Sequence, residues 1–180
     1  AAVLAKVFGA NARTEVSGLT ALKKRVPSAG GLHPTEAYLL VQNVEGLAPG
    51  LYHYDSVAHR LETLRTLATD EARDLAGRCV AHQTWFEDAP VIVFMICRFQ
   101  RTFWKYRTHP KAYRAVIVDA GHLSMMQYLA ATELGLGSFF TAAINEIEIE
   151  QALGLDPMQM GVMAMTGLGY RGPTMQHLEF

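Results

Sequence analysis

The chain has 180 residues, half of them hydrophobic and only 18% charged, which predicts one folded domain over 1–180 with a substantial core and argues against disorder. The formal net charge of −1 leaves no basic surplus to displace counterions from phosphates, which argues against nucleic acid as a partner. Cys79 and Cys97 stand alone, no secretory signal is visible and no apolar run reaches membrane-spanning length, so two free thiols in a cytoplasmic, reducing setting are expected, with no membrane partner. The chain opens on Ala rather than Met, as a trimmed protein or a piece of a longer one would.

Taken in chain order, "AAVLAKVFGAN" predicts a short amphipathic helix stopped near Gly9. A loop of small residues, "RVPSAGGLHPT", leads into a strand at "EAYLLVQNV". "GLYHYDSVAHRLETL" predicts a hairpin turning near Asp55. "TDEARDLAGRCVAH" predicts a helix from Thr69 to His82, with Asp70 and Glu71 in the first turn where the helix dipole favours them. "APVIVFMICRF" reads as a buried strand.

From Ala112 to Leu134 the chain is apolar on nearly every helical face, which predicts a long buried helix ended by Gly135 and Gly137. Either it is central to the monomer or a second copy of the protein covers part of it. "SFFTAAI" predicts a strand, "NEIEIEQALGL" a short helix capped by Asn145, and "GVMAMTGLGY" a last strand. Strands and helices mix without strict alternation, so the predicted class is α+β, a mixed central sheet flanked by helices.

No nucleotide loop of Walker or G-x-G-x-x-G type occurs, nor a G-x-S-x-G nucleophile elbow. None of the seven histidines falls in a metal-ligand spacing, so no metal is expected. Two stretches invite a ligand. In Pro27, Ser28, Ala29, Gly30 and Gly31 the small or missing side chains allow close approach to the backbone, although loops collect such residues anyway. From Arg98 to Arg114, cations alternate with Phe103, Trp104, Tyr106 and Tyr113, which suits an anionic small ligand or peptide, or simply a solvated connection anchored by aromatics.

Four segments together resemble the nitroreductase-like FMN flavoproteins, and within them the SagB/McbC-type dehydrogenases that mature thiazole- and oxazole-forming peptides. They are "PSAGGLHPTEAYL" (27–39), "GLYHYDSVAHRLE" (50–62), "WKYRTHPKAYRAVIVDAGHL" (104–123) and "LAATELGLGSFFTAAI" (129–144). The resemblance implies a nitroreductase-like FMN-binding fold, a homodimer with two flavins at the subunit interface, and a peptide or small-molecule substrate delivered with a cyclodehydratase partner. It implies that residues 27–31 lie along a flavin, with Arg25 a ribityl or phosphate contact. It further implies that Ala142 and Ala143 offer backbone N–H groups near the flavin N5 and that Arg171 neutralises its phosphate.

Lys105 and Tyr106 match the catalytic Lys-Tyr pair of the azoline dehydrogenases. Oxidising an azoline to an azole removes a proton from one ring carbon and a hydride from the next, so a base must stand beside the hydride acceptor. A lysine serves once burial or neighbours such as Arg101 and Arg107 lower its pKa. Dioxygen is the implied terminal oxidant. An NAD(P)H-dependent nitroreductase or quinone reductase, and a flavin-poor docking subunit, are the two alternative activities. Three positions depart from the family pattern: the N-terminal Arg-rich phosphate motif is absent, Met125-Met126 replace a usual Gln-Asn, and His33 stands where tyrosine is more common.

Overall fold

A computed structural model describes residues 1–16, 18–81 and 83–172. Helix α1 (Ala2–Val7) is followed by a two-stranded antiparallel hairpin, β1 (Ala10–Val16) and β2 (Leu19–Lys24). Then come β3 (Thr35–Val41), β4 (Gly50–Asp55), β5 (Arg60–Thr66), α2 (Thr69–Cys79), β6 (Val91–Arg98) and α3 (Phe99–Tyr106). The long helix α4 (Lys111–Glu133), β7 (Gly137–Thr141), α5 (Glu146–Leu153) and β8 (Met160–Gly169) complete the order. The predicted tail of the second helix at His82 lies outside the described residues.

The main sheet has the order β5-β4-β3-β6-β8-β7, and every pairing is antiparallel, where a mixed sheet was expected. Side chains alternate between the two faces of a strand, and β6 buries both. Val93 and Met95 face a core shared with Val7, Phe8, Ala120 and Leu123 from α1 and α4. Ile92, Phe94 and Ile96 face the opposite core, with Leu75 of α2 and Ile149 of α5. Each such side chain removed from water contributes about 1.5–3 kcal/mol. The result is α+β, a sheet with helices on both faces.

The helix ends follow local rules. Asn145 caps α5 through its side chain, which accepts from Glu148 N–H at 3.4 Å. Gly135, at φ +70°, closes α4, and Leu136 N–H returns to Ala131 C=O at 2.9 Å. The β4–β5 turn is held by Asp55, whose Oδ1 accepts from Val57 and Ala58 N–H at 2.9 and 3.0 Å.

Within one chain α4 is buried on one face only, a correction to the expected all-round burial. Val116, Ala120, Leu123 and Gln127 pack on the sheet, at helical spacing. On the opposite side Val118, Met125 and Leu129 are exposed, the last two by 59% and 61%. An apolar stripe of that kind is unusual on an isolated subunit. No helix among the described residues is long and apolar enough to cross a membrane. Cys79 and Cys97 are free thiols in the core, each pushed up to about 12 by burial.

Candidate active site

The 27–33 loop is tied to α4 by one buried carboxylate. Ser28 Oγ donates to Asp119 Oδ2 at 2.5 Å, Ala29 N–H donates to Oδ1 at 3.1 Å, and Ser28 Oγ accepts from His33 N–H at 2.9 Å. These bonds hold a tight turn over Ala29–Gly31 in which Gly30 and Gly31 take φ of +64° and +67°, a region that favours glycine. His33, at φ +46°, pays for the turn with backbone strain on the order of 1–3 kcal/mol.

Helix α3 brings the Lys-Tyr pair to this turn. Lys105 Nζ donates to Gly30 C=O at 3.1 Å. A Cβ placed on Gly30 would stand 2.8 Å from Lys105 Nζ and 2.9 Å from Tyr106 Oη, so a side chain there would collide with both. A Cβ on Gly31 would meet nothing within 4 Å. The backbone at Gly31 is therefore open, while that at Gly30 is covered by the two polar tips. Lys111 Nζ lies 5.2 Å from the Tyr106 ring centroid, a cation–π contact across the α3–α4 corner.

One turn earlier on α3, Arg101 fixes the helix to the end of β3. Its Nη2 donates to Glu36 Oε1 at 2.6 Å and its Nη1 to His33 C=O at 3.3 Å. Arg98 Nε donates to Glu36 Oε2 at 2.8 Å. Burial pushes the Glu36 carboxyl up, but the neighbouring His53 imidazole and the Arg101 and Arg98 guanidiniums outweigh it and hold the group at about 2. Since Glu36 compensates Arg101, that guanidinium does not face Lys105 as a bare charge. An open groove of about 480 Å³, lined by Phe103, Trp104, Tyr106, His109 and Tyr113, adjoins the pair.

The other expected site residues lie elsewhere in the single chain. Arg25 Nη1 donates to Ala5 C=O of α1 at 3.3 Å. Ala142 and Ala143 are exposed beyond the end of β7, three strands from β3, on the order of 14 Å across the sheet. Ala143 N–H donates to Thr141 Oγ1 at 3.1 Å and is occupied in this conformation. Arg171 lies along Gly137 at the other end of β7, roughly 17 Å from Ala142 at ordinary strand rise. The structure thus unites residues 27–31 with Lys105 and Tyr106, and leaves Arg25, Ala142, Ala143 and Arg171 outside that group.

Sequence reasoning missed Asp119 and Glu36, and read Arg98 only as the first cation of a ligand-facing patch. One signal was present: an aspartate in the middle of an apolar helix is buried at a cost unless a partner waits for it. Glu36 and Arg98, at strand ends, carried no such mark.

An antiparallel sheet with helices on both faces and a glycine turn pinned beneath a Lys-Tyr pair has the architecture of a nitroreductase-like flavoprotein oxidoreductase. The chain belongs to the nitroreductase family, whose sequence model matches residues 4–170. It is 33% identical over 144 residues to the trifolitoxin-processing protein TfxB of Rhizobium leguminosarum bv. trifolii, covering 79% of this chain and 38% of that protein. It is 32% identical over 130 residues to MJ1384 of Methanocaldococcus jannaschii, a protein named as a nitroreductase, covering 72% of this chain and 63% of that one. The chain therefore spans less than two thirds of either relative. Among solved structures, a nitroreductase-type chain from Anabaena variabilis superposes with a TM-score of 0.82 at 26% identity, over 93% of this chain and 33% of that one. The E. coli microcin synthetase McbBCD complex with truncated pro-MccB17 bound shares the fold, with a TM-score of 0.76 at 19% identity over 94% of this chain and 62% of that one.

Proposed function

We propose that this chain is the catalytic domain of an FMN-dependent, SagB-type dehydrogenase that oxidises azoline rings of a ribosomally made peptide to azoles. The observation that carries the reading is the convergence of Lys105 Nζ and Tyr106 Oη on the Gly30 backbone. The residues suit a flat cofactor: at Gly31 the main chain is bare and open, and Asp119 prevents the turn from relaxing. FMN, when bound, supplies the hydride acceptor.

The chain's own residues supply the rest. Lys105 takes the ring proton on Nζ, and Tyr106 orients the ring through its hydroxyl. The aromatic groove beside the pair suits the flanking peptide, since Trp104 and Tyr113 are both exposed there. The exposed stripe of α4 supports a homodimer. Residues 27–31 of one subunit and Ala142, Ala143 and Arg171 of the other would then line one cofactor, which explains why a single chain holds them apart. The names of TfxB and of the McbBCD complex with pro-MccB17 bound support a peptide substrate and work within a peptide-modifying complex, where a cyclodehydratase would be the partner.

The relationship to MJ1384 favours a second reading, an NAD(P)H-dependent nitroreductase. Anaerobic mixing of FMN-loaded protein separates the two. Bleaching of the flavin band by an azoline peptide supports the dehydrogenase. Rapid bleaching by NAD(P)H, with none by the peptide, replaces it with the nitroreductase.

A further inference from the structure

A cavity of about 200 Å³ lies against β2, β3 and β4, apart from Gly30, Lys105 and Tyr106. Phe8 and Leu22 form its apolar wall, and Lys24, Glu36, His53 and Arg101 its polar one. The carboxylates are already satisfied. Glu36 holds Arg101 and Arg98 at 2.6 and 2.8 Å and faces His53 Nε2 at 3.5 Å. Asp55, also on the wall, accepts two backbone N–H groups and lies 3.8 Å from Arg60.

One cation of the wall is not engaged. Lys24 joins none of these ion pairs. Burial pushes its ammonium down to about 8, with Glu36 opposing and Arg101 adding to the shift. His53 Nε2 is buried and makes no hydrogen bond among the described residues, its contact with Glu36 being too long. A half-buried ammonium offers three donors and no acceptor. Lys24 has no acceptor of its own, because the two wall carboxylates are engaged by Arg101, Arg98 and backbone N–H groups. Its volume, about six waters at liquid density, admits only a small group.

We propose that this cavity binds a small oxyanion, a carboxylate or a tetrahedral phosphate-type group, on the Lys24 ammonium and the Arg101 guanidinium. The site stands independently of the azoline reading, since no residue of the Lys-Tyr pair or of the glycine turn lines it.

The sign of its pH dependence follows by linkage. An anion favours the charged ammonium, so binding takes up a proton above pH 8, and affinity falls about tenfold per pH unit there. The charged and titratable groups around Lys24 are Glu36 from β3, His53, Tyr54 and Asp55 from β4, Arg101 from α3, His33 from the loop and Asp119 from α4, with Glu62 of β5 behind His53. Burial and Lys24 lower the His33 pKa, while Glu36 raises that of His53.

Isothermal titration with acetate and, separately, sulfate tests the site; both probes keep a fixed charge from pH 6 to 9. We expect one saturable site for at least one probe at pH 7. Acetate alone identifies a carboxylate ligand, sulfate alone a phosphate-type one. Affinity should drop about tenfold by pH 9. Lys24→Met should weaken binding at least tenfold, and Lys24→Arg should retain it at pH 9, because arginine stays charged. If Lys24→Met fails to fold, the arginine variant decides. No saturable binding of either probe, equal binding by folded Lys24→Met, or an undiminished pH slope in Lys24→Arg would overturn the proposal.

Discussion

Ser28 donates its hydroxyl to Asp119 at 2.5 Å, and through that bond the glycine turn is fastened to the central helix 91 residues away. Asp119 is 4% exposed, so its two acceptor oxygens have little recourse to water. Ser28→Ala should cost about 1–3 kcal/mol, the penalty of an unmet buried acceptor. Asp119→Ala should cost more, because Ala29 N–H also loses its partner. Thermal melting reads the stability loss. Flavin titration by fluorescence should show FMN affinity falling at least tenfold in both variants while the fold persists; unchanged affinity would detach the turn from the cofactor.

The two glycines of the turn should respond differently. Gly30→Ala places a methyl 2.8 Å from Lys105 Nζ, so it should displace the lysine and slow azoline oxidation. Gly31→Val meets no atom of its own chain; a positive φ costs it on the order of 1–2 kcal/mol. Its branched side chain enters the space assigned to the flavin ring, so it should expel FMN from a folded protein. Absorbance spectra of the two purified variants distinguish these outcomes.

Glu36 sets the acid limit of the α3 anchor. Its folded value of about 2 lies below the 4.5 of an unperturbed glutamate. Its stabilising contribution is therefore complete above pH 4.5 and is lost as pH falls toward 2. The shift corresponds to about 3 kcal/mol, with the His53 contact counted once. Glu36→Gln should flatten stability against pH across this window in urea denaturation, and an unchanged acid limb would assign the loss to other carboxylates.

The sequence was most legible where a period was strong. The β4–β5 hairpin, β6, α4 and α5 fall where alternation, apolar continuity and caps had put them. The β1–β2 hairpin escaped because β1 is almost wholly exposed and shows no buried alternation. Helix α3 escaped because it follows β6 with no Gly or Pro between them, and its eight residues read as an aromatic and cationic connection. For the site, Gly30, Gly31, Lys105 and Tyr106 were legible through family resemblance. Asp119 and Arg98 meet partners 91 and 62 residues away, a relation that no local pattern encodes.

The exposed stripe of α4 predicts an interface. Met125→Glu together with Leu129→Glu places two charges at its centre, where desolvating them on association would be costly. Light scattering at micromolar concentration should give a dimer for the FMN-loaded protein and a monomer with weakened FMN binding for the variant. A wild-type monomer that holds FMN fully would contradict the shared site.

The central claim, that Lys105 is the base, is tested by Lys105→Met. Methionine nearly preserves the length and apolar volume of lysine, so folding and yellow colour should survive while the proton acceptor on Gly30 disappears. Loss of a general base lowers rate about 10²–10⁴-fold, and Tyr106→Phe should fall between the variant and wild type. The measurement is anaerobic flavin reduction by an azoline peptide, followed by stopped-flow absorbance across a pH series. The wild type should reduce its flavin fully, and the methionine variant should be slow at every pH of the series. Equal rates and equal pH profiles in the two proteins would contradict the assignment.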